Sequence, residues 1–152
     1  MQLRLFTILS GNRQGKPSTP ARLLLDEYLA RAARYLPCTL HSAATEQKLF
    51  EAVDRAAGRT KPVLILADSS GALLTSTEFA GELTRRIDSG AQLLVVAIGP
   101  ADGWSAAARA RADLLLSFGR ITLPHELAAV IAAEQIYRAL TIRAGHPYHC
   151  GH

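Results

Sequence analysis

Cysteine is scarce in this chain: Cys38 and Cys150 are the only two among 152 residues, and they lie far apart in sequence. A lone pair of that kind excludes a disulfide framework and reads as free thiol in a reducing compartment. Long apolar runs are missing as well. Near the N-terminus the run Leu5–Leu9 gives way to Ser10-Gly11-Asn12-Arg13, too short for the apolar region of a signal peptide and far too short to cross a bilayer. A soluble, cytoplasmic protein without a membrane partner is expected. Lysine occurs only at positions 16, 48 and 61, against fourteen arginines.

Several motifs are incomplete in ways that exclude their chemistry. Gly11-Asn12-Arg13-Gln14-Gly15-Lys16-Pro17 is one residue short between its glycines for a phosphate-binding loop, and has proline where a magnesium-binding hydroxyl belongs. No G-x-G-x-x-G follows any predicted strand, which excludes an ordinary dinucleotide site. Asp68 ends a predicted strand as a phospho-acceptor would, yet Ser10-Gly11 after the first strand supplies no carboxylates for magnesium. His125-Glu126 opens like H-E-x-x-H, but Ala129 stands where the second histidine is required. His146, His149, Cys150 and His152 are suitable ligand types in a terminal tail with nothing to complete a rigid site, so no metal is expected.

What is present describes one domain. With 49% hydrophobic residues, a chain of this length buries about two-thirds of its unfolded surface and needs neither disulfide nor metal to be stable. The net charge of +4, carried mainly by arginine, permits an anionic partner, since the guanidinium fork suits bidentate phosphate contacts. Genomic base bias produces the same excess, so charge alone does not assign nucleic acid.

Hydrophobic patterning predicts strands over 3–9, 38–42, 62–67, 93–98 and 114–116. The runs 62–67 and 93–98 are continuously apolar, as central parallel strands are. Between the strands, helices are expected to open at Thr19-Pro20, Thr45, Thr75 (with Glu78 as a capping box) and Ser105. The first is expected to present Leu23, Leu24, Glu27, Tyr28, Arg31 and Tyr35 on one face and to stop before Pro37. A long last helix opens at Pro124, with Leu127, Val130, Ile131, Glu134, Tyr137 and Arg138 at helical spacing. Alternating strands and helices imply an α/β single-domain parallel sheet with helices on both faces. Ligands of such sheets bind beyond the carboxyl ends of the strands, so the loops after Ala67, Ile98 and Ser117 are expected to converge. A small flavodoxin-like ligand-binding domain would fit this pattern too.

The segment ITLPHELAAVIAAEQIYRALTIRAGHPYH, residues 121–149, carries more than periodicity. It resembles the C-terminal signature of the ribosomal RNA large subunit methyltransferase H family, the pseudouridine N3-methyltransferases of the SPOUT (α/β-knot) class. The resemblance extends over most of the chain, through Glu27-Tyr28 with Arg31, Asp68 with Gly71, Ser76 to Ala80, and Ile98-Gly99 with Gly103. It implies a knotted fold and a homodimer that uses S-adenosyl-L-methionine to methylate pseudouridine in large-subunit (23S) rRNA, on the assembled ribosome. Carried over by position, it implies cofactor contacts at Ala67, Gly99, Pro100, Gly119, Arg120, Ile121, Thr122, Leu123 and Pro124. It also implies a role at the target base for Tyr148, as a positioning group, and His149, as general base, across the dimer interface.

The chain departs from the family pattern at three places. The usual Gly-Gly-Pro-Glu-Gly is Gly99-Pro100-Ala101-Asp102-Gly103, the leucine before the strand-three aspartate is Ala67, and an arginine of the last helix is Ala129, for which Arg120 or Arg143 would have to substitute. Pro100 has no N–H and restricts Gly99. These departures support a rival reading, a non-catalytic ribosome- or RNA-binding paralogue of the same fold.

Overall fold

The computed structural model describes residues 1–8 and 19–150. The candidate phosphate loop over 11–17, Leu9 and His152 lie outside the described residues.

Five strands, β1 (Gln2–Ile8), β2 (Cys38–Ala43), β3 (Val63–Leu73), β4 (Leu93–Ile98) and β5 (Leu114–Ser117), form one parallel sheet in the order β2-β1-β4-β3-β5. Strand β4 lies between β1 and β3, and all six of its residues are buried. Its side chains alternate between two cores. Leu94, Val96 and Ile98 pack with helices α1 (Pro20–Ala32), α3 (Ser76–Asp88) and α5 (His125–Ala144). Leu93, Val95 and Ala97 face α2 (Glu46–Ala56) and α4 (Ala106–Arg111) on the other side. Helices on both faces explain why the central strands carry no polar face.

The predicted helix starts are built as hydroxyl caps. The side-chain oxygens of Thr19, Thr45 and Ser105 accept from the N–H groups of Arg22, Lys48 and Ala108 at 3.1–3.2 Å. At Thr75 both halves of the capping box form: Glu78 N–H donates to Thr75 Oγ1 (3.1 Å), and Thr75 N–H donates to Glu78 Oε2 (2.7 Å). Helix α5 opens at Pro124 without a side-chain cap and ends at Gly145, whose φ of 72° places it in the left-handed conformation that lets the chain turn back into the tail.

The buried face of α1 is Leu25, Leu29 and Ala32, while Leu23 (59% exposed) and Leu24 (45%) point outward. Two expectations are corrected. On α5 the small residues Ala129, Ala132 and Ala133 are fully in the core and Leu127 is 45% exposed, because close packing against α1 and α3 selects alanine at the contact. Strand β3 continues past Ala67 to Leu73 through an irregularity at which Ala67 and Ala72 both face Leu116 of β5. Asp68 and Gly71 therefore belong to a bulged strand instead of a loop after it. Among the described residues no helix is long and apolar enough to cross a membrane.

Candidate functional site

The C-terminal ends of β3, β4 and β5 lie side by side, and the segments leaving them enclose a cleft of about 720 Å³. Ala67, Gly99, Pro100, Gly119, Ile121, Thr122, Leu123 and Pro124 line it; of the cofactor contacts expected from the sequence, only Arg120 does not. Sequence reasoning missed Trp104, Arg109, Phe118 and His125, which also line it. A single tryptophan after a glycine turn carries no periodic signal, and His125 drew notice only through a failed zinc pattern.

The β4 loop is a closed turn: Gly103, at φ 89°, donates its N–H to the Pro100 carbonyl at 3.0 Å. Trp104 then folds its indole over Gly99. A Cβ on residue 99 would lie 2.7 Å from the indole Cε2, so only glycine fits there. The indole N–H donates to the Ala67 carbonyl at 2.8 Å, joining the ends of β3 and β4. Next to Ala67, the Asp68 side chain is 4% exposed. Burial pushes its pKa up, but hydrogen bonds from the Ser70 hydroxyl and N–H and the Arg109 guanidinium outweigh that and leave it below the usual carboxylate range.

Ser117 shapes the third loop. Its hydroxyl accepts from Gly119 N–H (3.1 Å) and donates to the Gly119 carbonyl (3.0 Å), holding that glycine at φ 118°. A Cβ at Gly119 would meet no atom within 4 Å, so the cleft is open beside it. Among the described residues, the N–H groups of Ile121, Thr122 and Leu123 donate to no protein acceptor. His125 begins α5 with its Nε2 buried and without a hydrogen-bond partner among the described residues. Burial pulls its pKa down, against opposing effects of a bond to the Gly99 backbone and of the Glu126 charge, so the ring is neutral near pH 7. Free amides, a buried neutral imidazole and room beside a glycine fit an uncoordinated organic ligand held mainly by backbone. No group of three or more metal-type ligands gathers among the described residues.

Tyr148 and His149 are elsewhere: neither lines the cleft. The tail returns onto α5, where Tyr148 packs against Tyr137 with ring centroids 4.6 Å apart and donates its hydroxyl to Glu134 at 3.0 Å. Arg138 pairs with Glu134 at 2.7 Å, lies 4.8 Å from the Tyr148 ring centroid, and contacts His149 Nδ1 at 3.1 Å. Glu134 and Arg138, four apart, are thus more than a surface pair: their side chains are 17% and 26% exposed and organise the tail. Burial and Glu134 push the Tyr148 phenol up to about 12, so it remains a hydrogen-bond donor at neutral pH. An arginine can only donate, so His149 Nδ1 accepts and the imidazole proton resides on Nε2.

The family model described as "Predicted SPOUT methyltransferase" matches residues 1–149. The ribosomal RNA large subunit methyltransferase H of Koribacter versatilis is 46% identical over the full length of both chains. The protein of the same name from Brucella ovis is 40% identical, covering 87% of this chain and 92% of the relative. Among solved structures, a probable methylase family protein from Haemophilus influenzae superposes with a TM-score of 0.56 at 10% identity, covering 97% of this chain and 70% of that one, a likeness of fold. A parallel five-stranded sheet with its cleft at the carboxyl ends of three adjacent strands, a family match over residues 1–149 and near-half identity along the whole chain place this protein in the ribosomal RNA large subunit methyltransferase H family of SPOUT methyltransferases.

Proposed function

We propose that the protein methylates N3 of a pseudouridine in large-subunit rRNA, on the assembled ribosome in the cytoplasm, with S-adenosyl-L-methionine as donor and as a homodimer. The observation that carries this reading is the cleft bounded by Ala67, Gly99 and residues 119–124, with its unpaired loop amides. S-adenosyl-L-methionine supplies an electrophilic methyl group on a sulfonium, whose transfer needs alignment more than covalent help; positioning of this kind contributes about 7–11 kcal/mol. The protein's part is to hold donor and base in line, exclude water, and accommodate loss of the acceptor nitrogen's proton.

In this reading the amides of residues 121–123 and His125 Nε2 are the polar contacts in the cleft, and the groups that hold the target base come from the partner's tail. Tyr148 and His149 do not reach their own chain's cleft, so a second subunit is needed to complete the site. The surface for that contact is apolar. Leu23 and Leu24 open α1, Ile121 (73% exposed) stands in the cleft loop, and Leu127 opens α5, whose first turn lies beside that of α1. These exposed apolar side chains are the surface proposed for a symmetric partner. The Arg138 contact at Nδ1 leaves the Nε2–H of His149 as a donor to the base, an alternative to the general-base role implied by resemblance in which solvent takes the N3 proton.

The rival reading, an RNA-binding paralogue without catalysis, draws on Pro100 and Ala129. Ala129 is 2% exposed, so it leaves no gap on the surface, and Arg143 pairs with Asp88 at 2.9 Å in an exposed contact. Calorimetry with S-adenosyl-L-methionine and tritiated methyl incorporation into unmodified ribosomes separate the two readings. Donor binding with methylation supports the first; ribosome binding with neither supports the second. Gly119→Val is expected to weaken donor binding by about tenfold or more, because a β-branched residue at a positive φ strains the loop by ~1–3 kcal/mol, whereas Thr122→Ala changes it little. Equal losses in the two variants would remove the loop backbone from the site.

A further inference from the structure

We infer that Trp104 and Arg109 are positioning residues for the methyl donor, holding the end of β3 in the geometry that the cleft requires; this rests on the reading of that cleft as a donor site. The sheet itself does not hold this segment. The β3–β4 ladder ends at Ala67–Ile98, and the β3–β5 ladder breaks between Ala67 and Ala72. Among the described residues, 68–71 therefore have no register partner in a neighbouring strand, although Ala67, Asp68 and Ser69 line the cleft. Contacts from α4 take the place of the ladder. Trp104, just before that helix, donates to the Ala67 carbonyl at 2.8 Å. Arg109, one turn into it, reaches Asp68 with one Nη at 2.6–2.7 Å from both carboxylate oxygens, and Ser70 Oγ at 2.8 Å.

The anchor for these contacts is rigid. Trp104 is 8% exposed and packs near Phe50 of α2, with ring centroids 6.5 Å apart. Ser105, which caps α4, is held by Glu46 of α2 through its N–H (2.9 Å) and hydroxyl (2.5 Å). A line of contacts thus runs from α2 through α4 to residues 68–70 of β3. The same indole rests on Gly99, so one side chain sets the separation of the β3 and β4 walls.

Trp104→Phe keeps an aromatic ring in the packed position and deletes the N–H; Arg109→Gln keeps the reach and deletes the charge. Calorimetry of the full-length variants with S-adenosyl-L-methionine is expected to give a Kd raised about three- to tenfold in each, in line with loss of one hydrogen-bonded contact. KM for the donor should rise in the same ratio, with kcat and KM for ribosomes little changed. Val53→Ala, in the same core as Trp104 but away from the cleft, serves as the control for destabilisation alone and should bind the donor normally. Trp104 is the only tryptophan, so wild-type emission should also change on donor addition. Wild-type Kd in both variants, or an equal loss in Val53→Ala, would overturn the inference. No donor binding by the wild type would overturn the donor-site reading itself, and this inference with it.

Discussion

Removal of residues 148–152 is expected to lower methyl transfer by about 10²- to 10⁴-fold, the range for a lost acid–base or orienting group at the reacting atoms. The tail also contributes to stability. Tyr148 packs on Tyr137 and satisfies Glu134, so the truncation should lower the melting temperature as well, unlike the loss of a solvated terminus. Point variants separate the two effects. His149→Ala removes the Arg138 contact and should retain stability while losing most of the activity. His149→Gln, which keeps a donor but no basic nitrogen, should stay within about tenfold of wild type if the imidazole orients the base through Nε2. Activity of His149→Gln as low as that of His149→Ala would restore the general-base role.

The tail also tests the dimer. If it acts on the partner's cleft, mixing the truncation with Gly119→Val restores activity, because a mixed dimer pairs one intact tail with one intact cleft. Random exchange in a two-fold dimer makes about half the dimers mixed, each with one working site, so roughly a quarter of wild-type sites should return. No recovery, or a monomer by light scattering at micromolar concentration, would place the tail's action within its own chain or remove it from the mechanism.

The sequence made the sheet legible because the first half of β3 (Leu64–Leu66) and all of β4 are buried, and an unbroken apolar run bounded by turns has few other uses. The caps at Thr19, Thr45, Thr75 and Ser105 were legible for a local reason: each is one hydroxyl answering one orphan amide three residues on. Side-chain direction was less so. Leu23 and Leu24 are apolar yet exposed, and Ala132 and Ala133 are small yet fully buried, because burial on α1 and α5 is decided by how closely the two helices approach. Of the cleft, the glycine turns could be read from the sequence, whereas Trp104 and Arg109 could not. Their partners, Ala67 and Asp68, lie 37 and 41 positions away, and no spacing rule connects them.

Gly71 is a residue whose importance only the structure explains. Its backbone is not in the left-handed region, so flexibility is not the reason for glycine. A Cβ there would lie 2.6 Å from the Leu115 carbonyl carbon and oxygen and 2.8 Å from Leu116 N, all backbone atoms of β5 that cannot turn aside as a side chain would. Gly71→Ala must therefore push β5 away from β3 at the bulge. A destabilisation of about 3 kcal/mol is expected, at the upper end for overpacking, with a fall in Tm of about 6–12 °C for a domain of this size. Gly81→Ala is the counter-test, since that glycine lies inside α3 with nothing within 4 Å of an added Cβ, and alanine there should stabilise by about 0.5–1 kcal/mol. The damage at Gly71 should reach the cleft. Leu116 is one residue from Ser117, whose hydroxyl holds Gly119 in place, so displacement of β5 moves the cofactor loop and donor affinity falls together with stability. Urea unfolding and donor calorimetry on the two alanine variants measure both effects, and a Gly71→Ala protein with wild-type stability would show that β5 yields at this contact without cost.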